Sequence, residues 1–279
     1  MKPIRTKQIN DFQVKKLSVP HVDKSRVKGN KLFDEIFANI NIVARKRSGK
    51  TNLVYNIIKK CSDKNTQIHI FCSTCLKDSA WIEIIKYLEN RGNIIHTHTS
   101  IVNEEGINLV EKFMTDNSIM IDSDDSEDSS DIDYGFLEIG KPYVDEEEKK
   151  KKRKKRKPKY VSPEHILIFD DLSTELKDKH LSALYKQNRH YRAKVLTSSQ
   201  GLNDIPPMSR KQQDYWILMK GLNIEKLQIA YKDADVGITF PQFLDVYKEA
   251  TLTPYSFLYI DTRTDTYRSC FNTQIVIDG

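Results

Sequence analysis

Apolar and polar positions alternate along Ile40-Asn41-Ile42-Val43-Ala44, which predicts a strand, and Leu53, Val54, Ile57, Ile58 and Cys61 then recur with the spacing of one helical face. The same two-part pattern returns. Gln67 to Cys72 predicts a second strand, and Trp81, Ile84, Ile85 and Leu88 a second helix. A short apolar run at Ile94-Ile95 precedes a third helix opened by Asn103, with Glu104 and Glu105 in its first turn. Farther on, Ile166-Leu167-Ile168-Phe169 is continuously apolar, as in a strand covered on both faces. A helix through Leu181, Leu184 and Tyr185 leads to a strand from Lys194 to Ser198, and Asp214 to Met219 predicts another. Ile224 to Tyr231 and Phe240 to Lys248 predict two more helices, and Ser256 to Asp261 with Tyr267 to Ile277 a hairpin and a final strand. Strand and helix in alternation predict an α/β fold, a largely parallel sheet with helices on both faces.

The pattern fails between Asp122 and Lys159. Twelve acids stand against one lysine, Lys141, from Asp122 to Glu148, and Lys149 to Lys157 is an unbroken run of nine basic residues. Such a stretch buries too little apolar area to offset its chain entropy, so it reads as a disordered charged insertion, with Tyr134-Gly135-Phe136-Leu137 as its exception. Patterned sequence resumes beyond it. The expected organisation is an N-terminal extension over 1–39 and one α/β domain over 40–279, interrupted at 122–159.

Composition narrows the classes further. The 279 residues are 38% hydrophobic, with 45 basic and 39 acidic side chains and a net charge of +6, which is mildly basic and names no partner by itself. No stretch approaches the ~18–20 apolar residues of a membrane span, and Met1-Lys2-Pro3-Ile4-Arg5 leads into no apolar signal core, so neither secretion nor membrane embedding is expected. Cys61, Cys72, Cys75 and Cys270 are too few and scattered for a disulfide scaffold, which favours a reducing compartment.

The chemistry is concentrated at strand ends. Ala44-Arg45-Lys46-Arg47-Ser48-Gly49-Lys50-Thr51 sits between the first strand and the first helix and ends in the phosphate-binding pattern Gly-Lys-Thr. Gly49 permits the sharp turn that points successive N–H groups at phosphate oxygens, Lys50 brings charge to the β- and γ-phosphates, and Thr51 offers a hydroxyl to Mg²⁺. Ala44 stands where the pattern has its first glycine; it removes no charged ligand. Next, Ile166 to Phe169 runs into Asp170-Asp171. Asp170 can hold Mg²⁺ through water and Asp171 can polarise the attacking water, while the plain alternative is a turn with a helix-capping aspartate. Val195 to Gln200 is a third strand end, where Gln200 is the first choice for a group beside the γ-phosphate and Thr197 and Ser199 are alternatives. Upstream, Arg189 or Arg192 could complete a neighbouring subunit's site; a basic helix end satisfying its own carbonyls explains them equally well.

These motifs in this order resemble the FtsK–HerA superfamily of P-loop ATPases, and within it the poxvirus-type genome packaging ATPases of large DNA viruses and virophages. The basic residues before Ser48-Gly49-Lys50-Thr51, Asp170-Asp171, Arg189-His190 ahead of Ser199-Gln200, and a hairpin of Phe257 to Asp261 with Tyr267-Arg268 carry the likeness, from about Ile40 to Ile277. The resemblance implies a RecA-like core, Mg²⁺-dependent ATP hydrolysis, a homo-oligomeric ring, and translocation of double-stranded DNA into a preformed capsid through portal or vertex proteins. It also implies residence in the host-cell cytoplasm, with the virion as a second place. The Lys149 to Lys157 run could serve nuclear import or touch DNA, or be a solvated linker.

Other signals point elsewhere with less force. Cys72-Ser73-Thr74-Cys75 has no second cysteine pair, only His69, His96 and His98 as helpers, so ordinary burial outweighs a zinc site. A nucleotide kinase or helicase would use the same loop, and a GTPase would need an Asn-Lys-x-Asp that the chain lacks after the loop. From a different class, the chain could be a DNA- or capsid-binding protein with an inactive nucleotide fold.

Overall fold

Strand β1 (Asn39–Val43) is buried at all five positions because strands flank it on both edges and helices cover both faces. It joins β2 (Gln67–Cys72), β3 (Ile95–His98), β4 (His165–Asp170), β5 (Ala193–Ser199), β6 (Tyr215–Met219), β7 (Phe257–Asp261), β8 (Thr266–Ser269) and β9 (Thr273–Ile275) in one sheet. The sheet order is β3-β2-β4-β5-β1-β6-β7-β8-β9. The first six are parallel and β7, β8 and β9 are antiparallel, which ends the chain in the expected hairpin. The structure, a computed structural model, describes residues 7, 11, 22–118 and 160–277. The charged segment 122–159, with its acidic run, Tyr134 to Leu137 and Lys149 to Lys157, lies outside the described residues. All elements named here belong to one compact unit, Lys24–Asp125 with Lys157–Gly279.

Helices cover both faces. On one, α1 (Lys50–Cys61) and α2 (Ser79–Asn90) press Leu53, Ile57, Trp81 and Leu88 against Ile40, Ile42, Ile70 and Ile168. On the other, α3 (Leu109–Asp116) and α4 (Lys179–Gln187) cover Leu167, Phe169 and Val195. Beside them, the short α5 (Pro207–Arg210) is followed by α6 (Ile224–Ala234) and α7 (Phe240–Ala250), which cover Val43, Trp216 and Leu218. The chain ahead of β1 takes part as well: Phe33 is fully buried against Tyr215, and Lys194 Nζ donates to Glu35 O at 2.7 Å.

One local expectation is corrected. Asn103 does not open α3; its Oδ1 accepts from the N–H groups of Glu105 and Ile107 in a preceding turn, and Asn108 caps the helix by accepting from Val110 and Glu111. The buried face of this helix begins only at Val110, and the cap follows the face. Within Tyr267 to Ile277, Cys270, at φ 52°, turns the chain between β8 and β9, so the expected hairpin and final strand are β7 with β8 and then β9.

Candidate nucleotide-binding site

The loop between β1 and α1 lies at the C-terminal edge of the parallel sheet, where Val43 is in register with Ser199 and Asp170 with Ser198. Gly49 caps α1 with φ 86° and ψ 14°, a left-handed conformation, and a Cβ there would also come 3.1 Å from Tyr255 Cδ1. The start of α1 has neither a side-chain cap nor an acid in its first turn, so its N–H groups and dipole are available to an anion. Arg45, Lys46, Arg47, Ser48, Gly49, Lys50 and Thr51 all line a cavity of about 470 Å³. Ala44 does not. Its methyl is buried in the core beneath α1 and its N–H donates to Ser199 O at 3.1 Å, so the loop begins as a continuation of the sheet.

The two acids of β4 divide the work of facing that cavity. Lys50 Nζ lies 2.8 Å from Asp170 Oδ1 and 2.6 Å from Asp171 Oδ1. Asp170 is buried, with its Oδ2 accepting from Trp81 Nε1 at 3.1 Å, whereas the Asp171 side chain is 38% exposed and lines the cavity. Asp171 has φ 52°, a strained value for a residue with a side chain, so it is not the helix cap of the plain alternative. Burial alone would lower the Lys50 pKa; the Asp170 and Asp171 carboxylates outweigh it and raise it.

Of the three candidates at the end of β5, Gln200 reaches the outer acid, donating from Nε2 to Asp171 Oδ1 at 3.2 Å. The Thr197 hydroxyl is instead paired with Tyr185 at 2.6 Å, and Ser199 is buried. Arg189 and Arg192 are not brought to this site. They lie at the N-terminal end of β5, the opposite edge of the sheet; Arg189 is exposed, and Arg192 pairs with Glu164 at 2.5 Å. Cys72 and Cys75 are buried, with Cys72 closing β2.

Four contributors were not singled out from sequence as site residues. Trp81 falls on the apolar period of α2, which hides its N–H donor. Ser73 Oγ donates to Asp171 O at 3.3 Å, Lys226 Nζ to Gln200 O at 2.6 Å, and Tyr255 forms part of the cavity rim. None of these has a local pattern in the sequence.

No family model matches the chain, and neither does any curated protein. Solved structures do. B204, the DNA-packaging ATPase from Sulfolobus turreted icosahedral virus, superposes with a TM-score of 0.51 at 16% identity, over 88% of this chain and 100% of that one. The genome packaging NTPase B204 from Sulfolobus turreted icosahedral virus 2, in complex with AMP, gives 0.51 at 15% identity over the same shares. The fold is the RecA-like fold of those packaging ATPases. The parallel sheet, its flanking helices and the antiparallel C-terminal hairpin all fall within this likeness. Among the described residues no helix is long and apolar enough to cross a membrane.

Proposed function

We propose that this chain is an ATP-hydrolysing DNA translocase that packages a viral double-stranded DNA genome into a preformed capsid, acting as a homo-oligomeric ring on portal or vertex proteins. One observation carries the reading. A loop lysine pairs with two strand-end carboxylates at 2.8 and 2.6 Å, and a glutamine reaches the outer of the two. The fold shared with the B204 packaging ATPases supports the DNA-packaging half.

The triphosphate would lie on the N–H groups of Gly49, Lys50 and Thr51 and on the positive end of α1. An ammonium carries three donors, and with two directed at Asp170 and Asp171 the third serves a β- or γ-phosphate oxygen. Asp171 accepts a proton from the water that attacks the γ-phosphorus, and Gln200 holds that carboxylate in orientation. Mg²⁺ fits the donors that remain. Asp170 Oδ1 is buried beside the Lys50 ammonium at 2.8 Å, and with the Thr51 hydroxyl it makes a hard-oxygen pair suited to this ion. Among the described residues no three His, Cys, Asp or Glu side chains converge into a cage, and an ion shared with substrate phosphates needs none. Bound there, the ion would neutralise charge on the phosphate oxygens. Arg189, exposed at the far edge, serves the phosphates of a neighbouring subunit, while Arg192 is committed to Glu164. Channel-facing loops push on DNA phosphates, a contact that requires positive charge and no base reading.

The test is ATP hydrolysis with and without double-stranded DNA for wild type, Lys50→Ala and Asp171→Asn. DNA-stimulated hydrolysis that both substitutions abolish is expected; a wild type that hydrolyses nothing overturns the reading.

A further inference from the structure

The cavity at the phosphate loop is lined by charged and polar side chains apart from Gly49, Ala80 and one aromatic ring, Tyr255. That ring is 70% exposed, yet it is held in place. Lys220 Nζ donates to Leu252 O at 2.6 Å, Lys220 N to Ser256 O at 3.0 Å, and Ser256 Oγ to Thr253 O at 2.6 Å, so the turn carrying Tyr255 is tied at both ends. Tyr255 itself sits at φ 63°, a conformation that costs a residue with a side chain and that the surrounding bonds impose. Its ring edge packs on Gly49, where a Cβ would approach to 3.1 Å.

Sheet order gives the cavity a direction. The acids end β4 and Gln200 follows β5, both on one side of β1; Tyr255 precedes β7, on the other side of β1 beyond β6. Because β7 runs antiparallel to β6, its start lies at the same edge as the loop. A triphosphate whose γ end meets Asp171 and Gln200 therefore carries its nucleoside toward Tyr255. A flat, exposed ring face there matches a flat heteroaromatic base, and stacking asks for no hydrogen-bond pattern.

We propose that Tyr255 is the platform on which the base of the bound nucleoside triphosphate stacks. The inference rests on the loop being a triphosphate site, and its test separates the two. Equilibrium binding of ATP and of inorganic tripolyphosphate is measured on the full chain for wild type, Tyr255→Ala and Tyr255→Phe. Stacking predicts that Tyr255→Ala loses roughly 10-fold in ATP affinity, that its tripolyphosphate affinity is unchanged, and that Tyr255→Phe behaves as wild type. Retained tripolyphosphate binding also reports that the variant is folded at the loop. An ATP-to-tripolyphosphate affinity ratio that is the same in Tyr255→Ala and wild type overturns the stacking role alone. A wild type that binds neither ligand overturns the phosphate site and the platform together.

Discussion

Lys50 Nζ lies 2.6 Å from Asp171 Oδ1 across the mouth of the phosphate loop. The lysine therefore holds the outer acid and the buried one apart from each other's charge while keeping a donor for phosphate. Lys50→Met removes both services. ATP affinity is expected to fall roughly 10- to 100-fold, the scale of a lost charge-assisted contact, and hydrolysis to fall to background. Asp171→Asn is expected to separate the steps: nucleotide affinity is kept and turnover drops by roughly 10²–10⁴, the worth of a general base. Titration of a fluorescent ATP analogue alongside phosphate release checks both.

Trp81 is a second lever on the same acids. Its indole N–H donates to Asp170 Oδ2 at 3.1 Å, and the ring is almost fully buried in α2. Trp81→Phe keeps most of the apolar volume and removes the donor, leaving a buried carboxylate oxygen unsatisfied at a cost of about 1–3 kcal/mol. Because Asp170 is then free to turn, the Mg²⁺ concentration for half-maximal hydrolysis is expected to rise several-fold at unchanged circular dichroism. A metal titration of the two proteins measures it.

What was legible in the sequence follows the range of the interaction concerned. Gly-Lys-Thr after a strand and Asp170-Asp171 ending another are local patterns, and the structure brings their side chains together across β5, as the alternation of strands and helices predicts. Asn103 and Asn108 both have the chemistry of a helix cap, and the choice between them depends on which neighbouring residues find a core. The hydrogen bond from Trp81 spans 89 positions, and that from Lys226 to Gln200 spans 26; neither leaves a trace in periodicity. Tyr255 reaches Gly49 only because β7 returns to the edge where β1 ends.

The loop after Gln200 is anchored by a buried ion pair. Arg210 Nε donates to Asp233 Oδ2 at 2.5 Å, and its Nη1 donates to Leu202 O and Ile205 O, joining α6 to the segment that follows β5. Both side chains are about one-tenth exposed, so removing one charge strands the other in a medium that solvates it poorly. Asp233→Asn is expected to lower unfolding free energy by about 3–5 kcal/mol in urea titration. A simultaneous loss of turnover, with tripolyphosphate binding retained, is expected because Gln200 borders this segment.

Acid should destabilise the fold through histidines remote from the loop. His69 on β2 stacks on His96 of β3 at 4.6 Å, and its Nε2 lies 3.3 Å from His165 Nδ1 on β4, with Phe113 of α3 edge-on at 5.0 Å. Burial first, and then the neighbouring imidazoles, push the His69 pKa down to about 3; burial also lowers His165 and His98. A histidine whose folded pKa lies below its unfolded value near 6.5 binds its proton more readily in the unfolded chain. Its neutral form therefore favours folding above about pH 6.5, and that contribution declines as pH falls from there toward about 3. At pH 5 the decline amounts to about 2 kcal/mol from His69 alone, since the unfolded group is mostly charged and the folded one is not. Urea midpoints measured from pH 7.5 to 5 should fall accordingly. In His69→Phe, which keeps a ring against Phe113 and carries no proton, the fall over the same range should be shallower by about that amount, whatever offset the substitution imposes at pH 7.5.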